Sequence, residues 1–235
     1  MNGRGDHSQD KWGAISNIMK KRWVVILGLQ ETHPSDEMQE TVERRFRNTF
    51  HLLHSADPQD PSRTGGVSFV INKGIINAKN TTYWEIVPGR VILIEIPWGE
   101  NKKLQMMNIY APARNTEKTA FWSELLEIIE GDEDLRPDII LGDFNIVENP
   151  EIDRLNNRGT NLITARNTLS NLTVELDLVD GWRRRHPKKR GYTFYVSGPL
   201  YPKLSICFEG ARLTQLVQLV TAGRLFPCHK GRVDP

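Results

Sequence analysis

Apolar residues in this chain gather in short runs, and three of those runs end the same way. VVILGLQET (24–32) passes from aliphatic residues to Gln30, Glu31 and Thr32. LQMMNIYAP (104–112) passes through Asn108 and Tyr110, and DIILGDFN (138–145) ends on Asp143 and Asn145. Each pattern predicts a buried strand that delivers polar groups at its C-terminal end. VILIEIPW (91–98) and GVSFVI (66–71) predict two further strands, the second launched by Gly65 and Gly66. Helical spacing lies between them. Residues 10–21 bring Trp12, Ile15, Ile18 and Met19 to one face, and 36–48 do the same for Met38, Val42 and Phe46. A third helix is expected from Thr116, read as its cap, with Phe121, Leu125, Ile128 and Ile129 aligned. Residues 160–174 are a fourth helical segment, and 211–220 a short fifth. Strands interleaved with peripheral helices predict a layered α/β fold and not a helical bundle.

Composition adds limits. A length of 235 residues with 38% hydrophobic and 26% charged side chains suits one domain with a substantial core. No apolar run approaches the length of a membrane span, so no membrane partner is expected. The opening MNGRGDHSQDKW lacks the apolar stretch of a secretory signal. Cys207 and Cys228 form no zinc spacing with His229, and an intracellular location, nuclear or cytoplasmic, is the expectation. Charge is uneven: residues 183–235 hold 11 Lys/Arg and 2 Asp/Glu, whereas 1–182 hold 20 and 27. An acidic body suits a site that recruits a cation before it meets phosphate. The run RRRHPKKR (183–190) reads as a contact for DNA phosphates, as a nuclear-import signal, or as a solvated loop.

The strand ends carry the chemistry. Glu31 at the mouth of a buried strand is a cation ligand or a carboxylate facing water. Asp143 can orient and deprotonate a water, and Asn145, two residues on, can donate to a phosphate oxygen. The alternative for that pair is an ordinary Asp/Asn turn. Asn108 and Tyr110 alternate along one strand and so share a face. If the three strands are neighbours in a sheet, their polar ends meet at one mouth, where α/β folds bind ligands. Hard oxygen donors without a Cys/His cluster point to Mg²⁺ or Mn²⁺.

LQETH (29–33), GGVSF (65–69), NIYAP (108–112), GDFN (142–145) and GYTF (191–194) stand in the order and spacing of the endonuclease/exonuclease/phosphatase superfamily, which this chain resembles over residues 2–196. The likeness is greatest to endonuclease domains of non-LTR retrotransposons, a subgroup that Trp182, the basic loop and the Tyr-Thr-Phe that follows also fit. The resemblance implies a two-sheet β-sandwich flanked by helices and metal-dependent hydrolysis of a phosphodiester in DNA. It implies a metal-binding role for Glu31, with Asn2 a weaker second ligand. Asp143, Asn145, Tyr110 and Asn108 take the catalytic positions. Thr193, Trp182, Arg183, Arg184 and Arg185 fall on the substrate side. The pattern also breaks. The family's Asp-His near its last strand has no counterpart after residue 194, so the expectation is a domain over 1–196, cut at both ends, with an atypical tail over 197–235. Two other readings follow: an inactive remnant, and a phosphatase or phospholipase relative acting on small phosphate esters.

Overall fold

The structure, a computed structural model, describes residues 6–33, 36–61, 64–98, 102–146, 163–189 and 206–210. Its four layers follow from the alternation of side chains along the strands. In β1 (Ile26–Gln30), Leu27 and Leu29 face one way into a cluster with Trp12, Ile15 and Met19 of α1 (Asp6–Arg22) and Val42 and Phe46 of α2 (Asp36–Phe46). Ile26 faces the other way, into the space between two sheets. β1 pairs antiparallel with β3 (Val67–Asn72), which pairs antiparallel with β2 (Phe50–Ser55).

The second sheet is larger. β4 (Thr82–Val87), β5 (Val91–Trp98) and β6 (Lys102–Tyr110) form an antiparallel meander. α3 (Asn115–Gly131) then carries the chain across to β7 (Ile139–Asp143), which is parallel to β6. The sheet continues through β9 (Ile206–Gly210) to β8 (Leu178–Asp180), in the order β4-β5-β6-β7-β9-β8. Its inner residues, among them Ile92, Ile94, Met106, Ile139 and Leu141, pack on Ile26, Phe69 and Ile71 of the first sheet. Its outer residues, Leu93, Met107, Ile109 and Ile140, pack on α3 and α4 (Ile163–Glu175) through Trp122, Leu125, Ile129, Leu169 and Leu172. The expected two-sheet sandwich flanked by helices is the fold observed.

Two glycines let backbones approach where a side chain would not fit. A Cβ on Gly28 would collide with Leu141 across the sandwich. Gly142 has φ +145°, and its Cβ would meet the Ile109 carbonyl on the neighbouring strand, a backbone atom that cannot swing aside.

Several expectations need correction. The three chemistry-bearing strands are not neighbours in one sheet: β6 and β7 are, but β1 belongs to the opposite sheet. α3 begins at Asn115 with Arg114 as its cap and no side-chain cap bond, so Thr116 lies inside the first turn. β2 and β4 were not anticipated, because His51, His54, Thr82 and Glu85 break their apolar runs. ICFEG (206–210), within the segment read as a tail, is β9, paired with β7 and β8. The helix expected at 211–220 lies outside the described residues.

Candidate functional site

The ends of β1, β6 and β7 converge across the two sheets. The anchor of this convergence is Asn108, fully buried in β6. Its amide Nδ2 donates to the Leu29 carbonyl at 3.1 Å and to the Ser68 carbonyl at 2.9 Å, both on the opposite sheet. Its Oδ1 accepts from Gln30 Nε2 at 2.6 Å. An amide has two N–H donors and one carbonyl, so all of these groups are engaged. Asn108, which the resemblance placed in a catalytic position, is here buried between the sheets. It clamps β1 to β6.

Two residues further along β6, Tyr110 has emerged from the interior. Its hydroxyl donates to Glu31 Oε1 at 2.9 Å, spanning the sheets at their rim. The Arg90 guanidinium lies 5.0 Å over the Tyr110 ring, a cation–π contact that helps fix the phenol. In the parallel register Tyr110 stands opposite Asp143, which brings the Asp143–Asn145 turn beside the Glu31–Tyr110 pair. Asp143 Oδ1 accepts from the Asn145 backbone N–H at 3.2 Å, and Asn145 Nδ2 donates to the Ala111 carbonyl at 2.7 Å. Between them, Phe144 turns the other way and stacks on Trp122 of α3, with ring centroids 5.7 Å apart. The turn is thus nailed down on the helix side while its polar residues face the mouth.

Glu31 and Asn145 both adopt left-handed backbone, with φ 55° and 50°. Such residues cost about 1–3 kcal/mol each and persist where surroundings over-determine them. The strand that precedes Glu31 is clamped by Asn108, and the residue that follows it meets a polar cluster. Thr32 N–H donates to the Gly66 carbonyl at 3.4 Å, Ser68 Oγ donates to Thr32 Oγ1 at 3.1 Å, and His54 Nδ1 lies 2.9 Å from Ser68 Oγ. Tyr83 donates its hydroxyl to the His54 carbonyl at 3.1 Å, and burial, with the charge of Glu85, pushes its pKa up to about 12.

Among the described residues no three His, Cys, Asp or Glu side chains gather as a metal cage. The donor set at the mouth is the exposed Glu31 carboxylate, the Tyr110 phenol and the Asp143–Asn145 turn. Those are hard oxygens, and a site with one or two carboxylates, completed by water and a phosphate, is what Mg²⁺ accepts. Asn2 and Thr193 lie outside the described residues, as does the side chain of Trp182. Arg183 is occupied within its own loop: α5 (Gly181–Arg185) is capped by Asp180, and Arg183 Nη1 donates to the carbonyls of His186 and Lys189. Arg184 and Arg185 are exposed. Sequence reasoning assigned no role to Gln30, Ser68, His54 or Arg90. Gln30 stands beside Glu31 and could have been suspected, whereas Arg90 in the turn before β5 carried no signal.

Comparison with known proteins agrees with this fold. A model described as the Endonuclease/Exonuclease/phosphatase family matches residues 10–203. A Xenopus laevis protein, "Transposon TX1 uncharacterized 149 kDa protein", is 23% identical over 201 residues, which is 83% of this chain, and the chain spans 14% of that protein's length. The AP endonuclease from Archaeoglobus fulgidus superposes with a TM-score of 0.64 at 20% identity, over 86% of this chain and 82% of that one. AP endonuclease LMAP from Leishmania major gives 0.63 at 14% identity, over 88% and 75%. Among the described residues no helix is long and apolar enough to cross a membrane.

Proposed function

Because the chain belongs to the endonuclease/exonuclease/phosphatase family, we propose that its mouth hydrolyses phosphodiester bonds in DNA with Mg²⁺ or Mn²⁺ as cofactor. The observation that carries this reading is the Glu31–Tyr110 hydrogen bond beside the Asp143–Asn145 turn. Four groups from three segments widely separated along the chain come to one rim, two of them on strained backbone.

In this reading Glu31 holds the cation, and Tyr110, steadied by Arg90, contacts the phosphate. Asp143 orients the attacking water and takes its proton. Asn145 has one amide N–H on Ala111 and a second to offer a phosphate oxygen. When bound, the cation supplies neutralisation of the charge that grows on the phosphate. Asn2 and Thr193 join the site only through family resemblance. DNA is favoured as substrate by the exposed Arg184, Arg185, Lys188 and Lys189, since an extended positive surface is superfluous for a small ester. Kinship with a transposon protein supports the retrotransposon type. A second reading is the same arrangement without turnover.

A supercoiled-plasmid assay with Mg²⁺ separates these readings. Nicking by the chain is expected, with Glu31→Gln and Asp143→Ala each lowering the rate by about 10²–10⁴-fold, as loss of an acid–base group does. Equal traces from all three chains would sink the nuclease reading and leave the inactive one. Release of phosphate from inositol phosphates without nicking would move the assignment to small esters.

A further inference from the structure

A second feature lies at the far end of the three-stranded sheet. β1 and β2 begin there and β3 ends there, with Ile26 opposite Ile71 and Phe50 opposite Asn72. α1 and α2 also finish there. Val24 N–H donates to the Met19 carbonyl at 3.0 Å, Asn72 N–H to Val25 at 2.9 Å, and Lys73 N–H to Thr49 at 3.1 Å. Lys73 Nζ donates to the Arg47 carbonyl at 2.8 Å. Residues 20–25, 43–49 and 72–75 therefore make one surface.

That surface is basic. Lys20, Lys21 and Arg22 close α1, Arg44 and Arg45 close α2, and Arg47 and Lys73 follow in the two adjoining turns, all exposed. Against these seven cations the three segments hold one carboxylate, Glu43. The rest of residues 1–182 carries 13 Lys/Arg and 26 Asp/Glu, so the cluster runs against the charge of the body around it. Its field reaches inward: after burial, the Lys73 charge is the next cause holding His51 below its ordinary pKa.

Beside the cations, Trp23 is 75% exposed, with left-handed backbone at φ 53°. Indoles are among the most buried side chains on average, and bulky residues rarely adopt this φ. Helix C-termini favour nearby cations, which accounts for the last turns of α1 and α2. It accounts neither for Arg47 and Lys73 nor for an indole held in solvent. We propose that this pole binds single-stranded nucleic acid, with Trp23 stacking on a base and the flanking Lys and Arg side chains meeting the phosphates. A single strand offers an unpaired π-face to a protruding ring, and a duplex does not. One indole and the edge of Ile75 are too small an apolar area for stable membrane anchoring, whereas stacking needs only one ring. Trp23 and Glu31 flank the two ends of β1, eight residues and on the order of 25 Å apart, so the pole and the mouth are separate sites.

The test is fluorescence anisotropy of a labelled oligothymidylate of about 20 nucleotides and of a duplex of the same length, in EDTA, with the full chain. Trp23→Ala is expected to weaken single-strand binding by about 5- to 100-fold, the range for loss of one base stack, and to leave duplex binding unchanged. Trp23→Phe keeps a ring and recovers most of the affinity. Replacing Lys20, Lys21 and Arg22 together by Ala lowers the slope of log affinity against log salt by about 2. All variants keep the wild-type thermal melt, and Asp143→Ala binds the oligonucleotide as the wild type does, so loss of hydrolysis at the mouth leaves this result untouched. Unchanged single-strand affinity in Trp23→Ala overturns the proposal. So does an equal loss of single-strand and duplex binding in the triple variant, or Trp23-dependent sedimentation with phosphatidylserine vesicles by a chain that ignores the oligonucleotide.

Discussion

At the scale of single residues, Asn108 is the side chain on which the mouth depends. Its three hydrogen bonds join two sheets, two of them buried and the third, to Gln30, half-buried. Asn108→Ala removes a partner from the Leu29 and Ser68 carbonyls, and each buried unsatisfied group costs about 1–3 kcal/mol. A loss of about 3–5 kcal/mol is expected, read as a lower urea midpoint with little change in slope. A midpoint within error of wild type would mean that the clamp contributes nothing. His51 gives a pH signature. Burial first, then the charge of Lys73, lowers its pKa in the fold, while Glu43 opposes them. The unfolded chain therefore takes up this proton first as pH falls. The stabilisation from the neutral ring is complete above the unfolded pKa and is lost as pH drops through the lower folded value. His51→Gln should flatten the decline in urea midpoint between about pH 7 and pH 5, the window that opens at the ordinary histidine pKa. An unchanged slope counts against the shift.

At the scale of elements, strands aim the site and helices brace it. α3 presents Trp122 to the outer face of the large sheet, fully buried and edge-on to Phe121 at 5.2 Å. Through its stack with Phe144 it holds the turn that carries Asp143 and Asn145. Trp122→Ala is expected to cost about 3–5 kcal/mol, the range for deleting a large buried aromatic. Activity at the mouth should fall as well, although Trp122 never touches it. The comparison is with Leu169→Ala on α4, which loosens the same core without contacting the turn in its ring stack. A larger fall in nicking for Trp122→Ala, measured well below both melting points, supports bracing. Equal falls speak for general loosening.

At the scale of the whole molecule, β9 ties the segment after residue 205 to the middle of the large sheet. Its register runs from Ile139↔Glu209 to Gly142↔Ile206 on one side and from Leu178↔Gly210 to Asp180↔Phe208 on the other. A chain ended at residue 205 loses both ladders and exposes the edge of β7, the strand that bears Asp143. Such a chain is expected to elute as aggregate in size-exclusion chromatography, and a soluble monomer with wild-type melting would remove β9 from the fold. Much of this architecture was legible beforehand. The runs of β1, β3, β5, β6 and β7 are apolar enough to declare themselves, and four helical segments follow from spacing of the 3.6 period. The polar ends Glu31, Tyr110, Asp143 and Asn145 were legible too, because a polar residue closing a buried strand must face a mouth or find a partner. Periodicity is a local property, so it determined which segments are strands and which of their faces are apolar. Pairing and layering arise from contacts between residues far apart in the chain. Only tertiary structure could therefore decide that β1 lies in the opposite sheet, that Asn108 is spent inside as a clamp, and that the Tyr110 phenol reaches Glu31 across the sandwich.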